Sequence, residues 1–127
     1  MDEKIILKDL ENIIPYAKGI IVYGSFAKGY ANEKSDIDIC IIEKEDADEK
    51  KLFQEILKVS NKKYDIVTFN KIPWYLRGEV IENGKVIYAE DMDSLDFWLY
   101  KQSKIWKDMK RRQKLVSAEN LIKRIKK

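Results

Sequence analysis

The chain has 127 residues, 45% of them hydrophobic, which is enough for one compact domain with its own core. It contains no histidine, and this excludes a histidine general base, a Ser-His-Asp triad and a histidine-ligated zinc site, so acid–base or metal chemistry must use carboxylates. The net charge of +3 is unevenly distributed, because residues 101–127 carry a net +9 whereas residues 1–100 carry a net −6.

The composition also predicts a cytoplasmic protein. The sequence has no apolar run of about 18 residues, the length that a membrane-spanning helix would need. Its first residues, MDEKIILKDLEN, are acidic where a secretory signal would be basic. The single cysteine, Cys40, cannot form an internal disulfide and lies in an apolar segment, so we expect a small buried side chain rather than a reactive thiol.

The first two elements are predicted to be a helix and a buried strand. Residues 3–17 place apolar side chains at helical spacing, and Pro15 should disturb the last turn. Lys18 and Gly19 then turn the chain into a strand over residues 20–23, whose continuous apolar run is typical of a central strand covered on both faces.

A tight turn at Gly24-Ser25 follows this strand. Glycine lets the backbone approach an anion closely, and a serine hydroxyl together with the free N–H groups of a starting helix can hold phosphate oxygens. Lys28, in the loop beyond, is also within reach of a phosphate. We therefore regard Gly24, Ser25 and Lys28 as candidate phosphate ligands, although a surface lysine is more often simply solvated.

Two acids, Asp36 and Asp38, stand at the head of the next predicted strand, residues 36–42. Residues two apart on a strand share a face, with Cα atoms roughly 6.5 Å apart, so both carboxylates can lean toward one point, and Cys40 and Ile42 follow on that face. Ile37, Ile39 and Ile41 should lie on the other face. Such a pair suits a hard divalent cation, usually Mg²⁺ beside phosphates. Capping or salt bridging is the alternative, but burying two acids beside isoleucines without a cation would be costly. We favour metal ligands.

The middle of the chain predicts alternating helices and strands. A helix over residues 47–59 has a predicted buried face made of Leu52, Phe53, Ile56 and Leu57, and a strand over residues 64–69 follows. Asp65 lies near the start of that strand, where an exposed acid would also be unremarkable. Pro73 opens a short helix that should end at Gly84, and a strand over residues 85–89 comes next.

The last third of the chain, from about Ser94 to Lys127, has a helical pattern with a break predicted near Val116-Ser117. Its aromatic side chains exceed what a solvated tail needs, so we expect it to fold back on the domain or to form an interface with a second copy or a partner. Its charge suggests an acidic partner, either nucleic acid or protein, but a solvated basic helix is the interpretation that we slightly favour. We divide the chain into a domain over residues 1–92 and a basic amphipathic extension over residues 93–127.

The residues Gly24-Ser25-Phe26-Ala27-Lys28-Gly29 followed by Ser35-Asp36-Ile37-Asp38 resemble the GSxAxG…SDxD signature of the minimal nucleotidyltransferase domain, in the DNA polymerase beta-like superfamily. The likeness covers roughly residues 1–90. It implies an α/β (α+β) fold with a small mixed β-sheet flanked by helices, to which this chain adds a C-terminal helix. It also implies a third catalytic carboxylate on a neighbouring strand, at the position of Asp65, and a nucleotide site formed by Gly24, Ser25, Lys28 and Ser35.

The activity implied by the resemblance is nucleotidyl transfer from ATP with one or two Mg²⁺ ions held by Asp36, Asp38 and Asp65. Freestanding minimal domains of this family resemble antitoxins paired with HEPN-domain ribonuclease toxins, which implies transfer of AMP to a tyrosine hydroxyl of that partner. Two alternatives stay open. One is a non-catalytic nucleotide-binding antitoxin that neutralises its partner by complex formation, and the other is a nucleotidyltransferase acting on RNA through the basic C-terminal helix.

Overall fold

The computed structural model describes residues 3–24, 36–60 and 63–125, the last nine of these by backbone alone. In chain order the described elements are α1 (Glu3–Asp9), a 3₁₀ turn (Ile14–Tyr16), β1 (Ala17–Tyr23), β2 (Ile37–Glu43), α2 (Glu49–Val59), β3 (Tyr64–Thr68), a 3₁₀ turn (Phe69–Lys71), α3 (Trp74–Asn83), β4 (Lys85–Ala89) and α4 (Met92–Ile125).

The N-terminal helix is shorter than the sequence pattern predicts. It ends at Asp9, and the backbone N–H of Ile13 donates to the carbonyl of Leu10 at 2.8 Å in a tighter turn. Pro15 then lies inside the 3₁₀ turn, where its missing N–H costs little. This path buries both Leu10 and Ile13, and it lets β1 begin at Ala17, three residues earlier than predicted.

The four described strands form one mixed sheet in the order β3-β2-β1-β4. β1 pairs antiparallel with both β2 and β4, whereas β2 and β3 are parallel. A register shift between Ala17 and Gly19 marks a bulge at the start of β1. The predicted small mixed β-sheet flanked by helices is confirmed.

Each face of the sheet buries its own hydrophobic cluster. On the α1–α2 face, β2 contributes Ile37, Ile39 and Ile41, which pack with side chains of α1 and α2. Of the predicted buried face of α2, Leu52 and Ile56 are buried, whereas Phe53 and Leu57 are exposed. On the α3–α4 face, β2 contributes Cys40 and Ile42, which pack with the second 3₁₀ turn, α3 and the start of α4. The alternation predicted along β2 is therefore confirmed, and it follows from the two-residue repeat of a strand.

Helix α4 packs on the domain along its first half. Leu95 is fully buried and fills the space above Gly19, and the ring of Trp98 packs edge-to-face on Phe69 with centroids 4.8 Å apart. The predicted break near Val116-Ser117 is wrong, because the helix continues to Ile125. Neither residue is a glycine or proline, and good helix formers surround them. None of the described helices has the length and apolarity needed to cross a membrane.

Candidate functional site

Two of the predicted acids lie side by side on neighbouring strands. The parallel register of β2 and β3 pairs Asp38 with Asp65, so their side chains project from the same face of the sheet across one strand spacing of about 4.8 Å. Each lies second in its strand. The carboxylates therefore form a pair at the end of the sheet where β2 and β3 begin, on the α3–α4 face.

The end of β1 lies against this pair. Tyr23, its last residue, is opposite Asp38 in the antiparallel ladder, and Gly24 follows with a φ of +76°. That backbone conformation favours glycine. A Cβ atom on Gly24 would also overlap Oδ2 of Asp38. Both the backbone conformation and the lack of space therefore require glycine at this position. The backbone passes directly beside the Asp38 carboxylate.

The site concentrates negative charge. Partial burial raises the pKa of Asp38 above its usual range, and the charges of Asp65 and then Asp36 raise it further. Asp36 and Asp65 are both exposed, whereas Asp38 is half-buried. A bound cation would offset this repulsion.

The three predicted metal ligands are not equally placed. Asp36 lies just before β2, and among the described residues no set of three or more Asp, Glu or Cys side chains is close enough to form a metal-binding group. The structure brings Asp38 and Asp65 together and leaves Asp36 beside them. The three candidate ligands are carboxylates, whose oxygens fit Mg²⁺ better than a softer metal.

Of the predicted nucleotide ligands, only Gly24 lies among the described residues. Ser25, Lys28 and Ser35 lie outside them. The roles of these three residues stay predictions, and so does the division of the chain at residue 92.

The buried thiol of Cys40 lies behind the acids on the same face of β2. Its side chain is fully buried, and this burial raises its pKa to about 12. A protonated, inaccessible thiol is a poor nucleophile. The prediction of a small buried side chain is confirmed.

Two side chains were not predicted, namely Tyr23, which lies opposite Asp38, and Glu79 of α3, whose charge acts on Tyr23. Burial and then the charges of Asp38 and Asp65 raise the pKa of Tyr23, and Glu79 on α3 adds to this effect. The amide of Asn83 donates to Glu79 at 3.1 Å. Tyr23 could have been found from its position, because the last residue before the Gly-Ser turn must face the head of β2 in an antiparallel pair. Glu79 follows only from the packing of α3.

Comparisons with a family model and with named relatives all indicate the same family. The family model described as "Polymerase beta, Nucleotidyltransferase" matches residues 4–93. A Methanocaldococcus jannaschii protein, provisionally named a protein adenylyltransferase, is 40% identical over 74% of this chain and 73% of its own length. The protein adenylyltransferase MntA of Aphanizomenon flos-aquae is 31% identical over 65% of this chain and 64% of its own length.

Solved structures share the fold over nearly the whole chain. A toxin–antitoxin crystal structure with AMP-PNP has a TM-score of 0.72 at 20% identity, covering 95% of this chain and 99% of the other. An MNT antitoxin from Shewanella oneidensis, in complex with a tri-AMPylated HEPN toxin, gives 0.66 at 18% identity and covers 94% and 95% of the two chains. Coverage this high extends the likeness of fold beyond residues 4–93 into α4.

Proposed function

The chain belongs to the polymerase beta nucleotidyltransferase family, and on that premise we propose that it transfers AMP from ATP to a tyrosine hydroxyl of a HEPN-type toxin, as the antitoxin of a toxin–antitoxin pair. The names of its relatives support a protein acceptor, because MntA of Aphanizomenon flos-aquae is itself named a protein adenylyltransferase. The AMPylated toxin found with the Shewanella oneidensis antitoxin supports the class of partner.

One structural observation carries the proposal. Asp38 and Asp65 are in register on parallel strands, and Gly24 brings the backbone against Asp38 from the opposite side. A carboxylate pair beside a close-approaching glycine turn is the arrangement that nucleotidyl transfer requires, with phosphates on the turn and a cation between them and the acids.

Asp38 and Asp65 would hold the Mg²⁺. Asp36 is exposed and therefore free of packing, so its side chain can turn toward the pair and become a third ligand. When bound, Mg²⁺ offsets charge on the triphosphate and lowers the pKa of the attacking hydroxyl. Gly24 and Ser25 hold phosphate oxygens in this proposal, assisted by Lys28 and Ser35.

In the proposed reaction the tyrosine oxygen of the acceptor bonds to the α-phosphorus of ATP. The bond from that phosphorus to the bridging oxygen breaks, and pyrophosphate leaves with the electron pair. Asp65, exposed at the strand head, orients the hydroxyl and accepts its proton, which passes to solvent. No covalent enzyme intermediate is needed, in agreement with the buried thiol of Cys40. Because the reaction consumes ATP, we expect it to take place in the cytoplasm.

The test is incubation with α-labelled ATP, Mg²⁺ and the candidate acceptor, which is the product of the adjacent reading frame. Wild type should label the acceptor, and Asp36→Asn/Asp38→Asn should not. Glu45→Gln/Asp46→Asn is the matched control, because it removes two exposed acids from the turn after β2. If neither wild type nor the site variant labels the acceptor but both bind it, the protein is a non-catalytic antitoxin and the proposal is wrong.

A further inference from the structure

Helices α3 and α4 lie side by side and run in the same direction. Trp106 of α4 fills the space above Gly78 of α3, and its indole N–H donates to Glu82 at 3.0 Å. Lys110, one turn further along α4, forms an ion pair with the same Glu82. Contacts therefore advance along both helices together, from Gly78 to Glu82 and from Trp106 to Lys110.

This direction takes α4 toward the acid pair. The helix begins beside Gly19, at the start of β1, whereas Asp38 lies opposite Tyr23 at the end of β1. Helix α3 finishes at that same end, because β4 follows it directly and begins with Lys85 paired to Val22. Because α4 continues past its contacts with Glu82, it must extend beyond the sheet at the end where the acid pair lies.

Helix α4 does continue, over residues 111–125, a segment that we name the arm. Residues 111–116 are all exposed, so the helix has left the domain there. At 1.5 Å per residue the arm is about 22 Å long. It carries five Lys/Arg and one Asp/Glu, and it exposes Leu115 and Val116 by 59% and 55%.

We propose that the arm is the docking element for the acceptor protein, binding an acidic and partly apolar surface of that protein beside the acid pair. The proposal rests on the proposed function in one respect, the identity of the docked protein as the AMP acceptor. Docking at this end would hold the acceptor hydroxyl near Asp65, converting transfer into an almost intramolecular step.

Charge and exposure favour an acidic protein over the other occupants. A second copy would bring two helices of net +9 together, which is unfavourable. Binding of single-stranded nucleic acid is strengthened when its bases stack on free aromatic rings. On α4 the amines of Lys101 and Lys104 lie over the rings of Phe97 and Tyr100, at 4.5 and 4.8 Å from their centroids, so these ring faces are already covered. Leu115 and Val116 suit a protein surface rather than phosphates.

Three charge reversals in the arm test the proposal. Lys114→Glu/Lys123→Glu/Arg124→Glu should weaken binding of the adjacent gene product about tenfold or more, and should remove most of the salt dependence of binding. The control Lys50→Glu/Lys51→Glu/Lys58→Glu makes the same charge change on exposed positions of α2 and should have little effect. Binding is measured by calorimetry at low and high salt, with circular dichroism and melting curves to verify folding.

Transfer kinetics separate docking from chemistry. The arm variant should raise KM for the acceptor with little change in kcat, whereas Asp36→Asn/Asp38→Asn should bind normally and transfer nothing. The glutamine variant Lys114→Gln/Lys123→Gln/Arg124→Gln should give an intermediate affinity.

Each competing occupant has its own result. Unchanged acceptor binding by the arm variant would overturn the proposal. So would loss of binding to a labelled single-stranded RNA with acceptor binding unaffected, or a wild-type dimer that the reversals make monomeric. Arm-dependent acceptor binding without any transfer by wild type would support docking while the proposed function fails.

Discussion

The two faces of the sheet are made from the same four strands, but their composition differs at one end. The α1–α2 face is apolar from Ile37 to Ile41 of β2, where Ile37, Ile39 and Ile41 are almost fully buried. The α3–α4 face begins with Asp38 and becomes apolar only at Cys40. Adjacent residues of one strand therefore belong to the buried core on one face and to the proposed catalytic site on the other.

This separation explains how a small domain tolerates an acidic site. A buried cluster of aliphatic side chains on one face stabilises the sheet. The folded state can therefore tolerate the repulsion between Asp38 and Asp65 on the other face. The following changes would break or sharpen the contrast between the faces, and we take them from the largest expected effect to the smallest.

Asp38→Asn should reduce AMP transfer about 10³-fold, since a central cation ligand and its charge are lost. The same change should raise the melting temperature of the metal-free protein, because repulsion with Asp65 disappears. Initial rates with labelled ATP and thermal melts in chelator measure both effects. Transfer within tenfold of wild type would show that Asp38 is not a ligand.

Ile39→Ala, one residue away on the opposite face, should lower the free energy of unfolding by about 3 kcal/mol through the cavity that it leaves. Transfer per folded molecule should be unchanged. Urea unfolding and rates at low temperature measure the two, with Ile39→Val as a control expected to cost about 1 kcal/mol. A large kcat defect in the folded variant would mean that the two faces are coupled.

Gly24→Ala should lower both the stability of the fold and the rate of AMP transfer. The backbone conformation of Gly24 strains any other residue by about 1–3 kcal/mol, and the new Cβ would push the Asp38 carboxylate aside. We expect a lower melting temperature together with loss of transfer. Normal transfer by this variant would refute the close approach of the turn to the acid.

Glu82→Gln should have the smallest effect. Hydrogen bonds from Lys110 and then Trp106 lower the pKa of Glu82 below its usual range. Its ionised form therefore stabilises the folded state above the unfolded pKa, and this contribution is lost as pH falls through the folded pKa. Because the pair is exposed, the difference between wild type and Glu82→Gln should be less than about 1 kcal/mol at pH 7 and should vanish on acidification. If the difference in free energy of unfolding between the two proteins stayed constant across pH, it would come from packing rather than from the charge of Glu82.

The sequence predicted the sheet well because its signals are local. Alternation along β2, the β-branched run of β3 and the helix end at Gly84 all depend on neighbouring residues, and the structure confirms them. It also confirms the fold class. The pairing of Asp38 with Asp65 could be expected only through the family resemblance, since strand order is not a local property.

The rest depends on contacts between distant residues. The parallel course of α3 and α4 follows from Trp106 seated on Gly78, 28 residues apart, and no periodicity in either helix indicates it. The burial of Leu95 over Gly19 is similar. Even the end of α1 was misjudged, because burying Leu10 and Ile13 outweighed helix continuity before Pro15.

The packing of Trp106 on Gly78 has an evolutionary consequence. The arm continues from the part of α4 that contacts α3, and its residues 111–116 are all exposed. Substitutions at these exposed positions should therefore change the free energy of unfolding little, so selection on them would act mainly through partner binding. If the arm docks the acceptor as proposed, lineages that keep Gly78, Glu82 and Trp106 could exchange partners by recombination downstream of Lys110 and keep the acid pair unchanged.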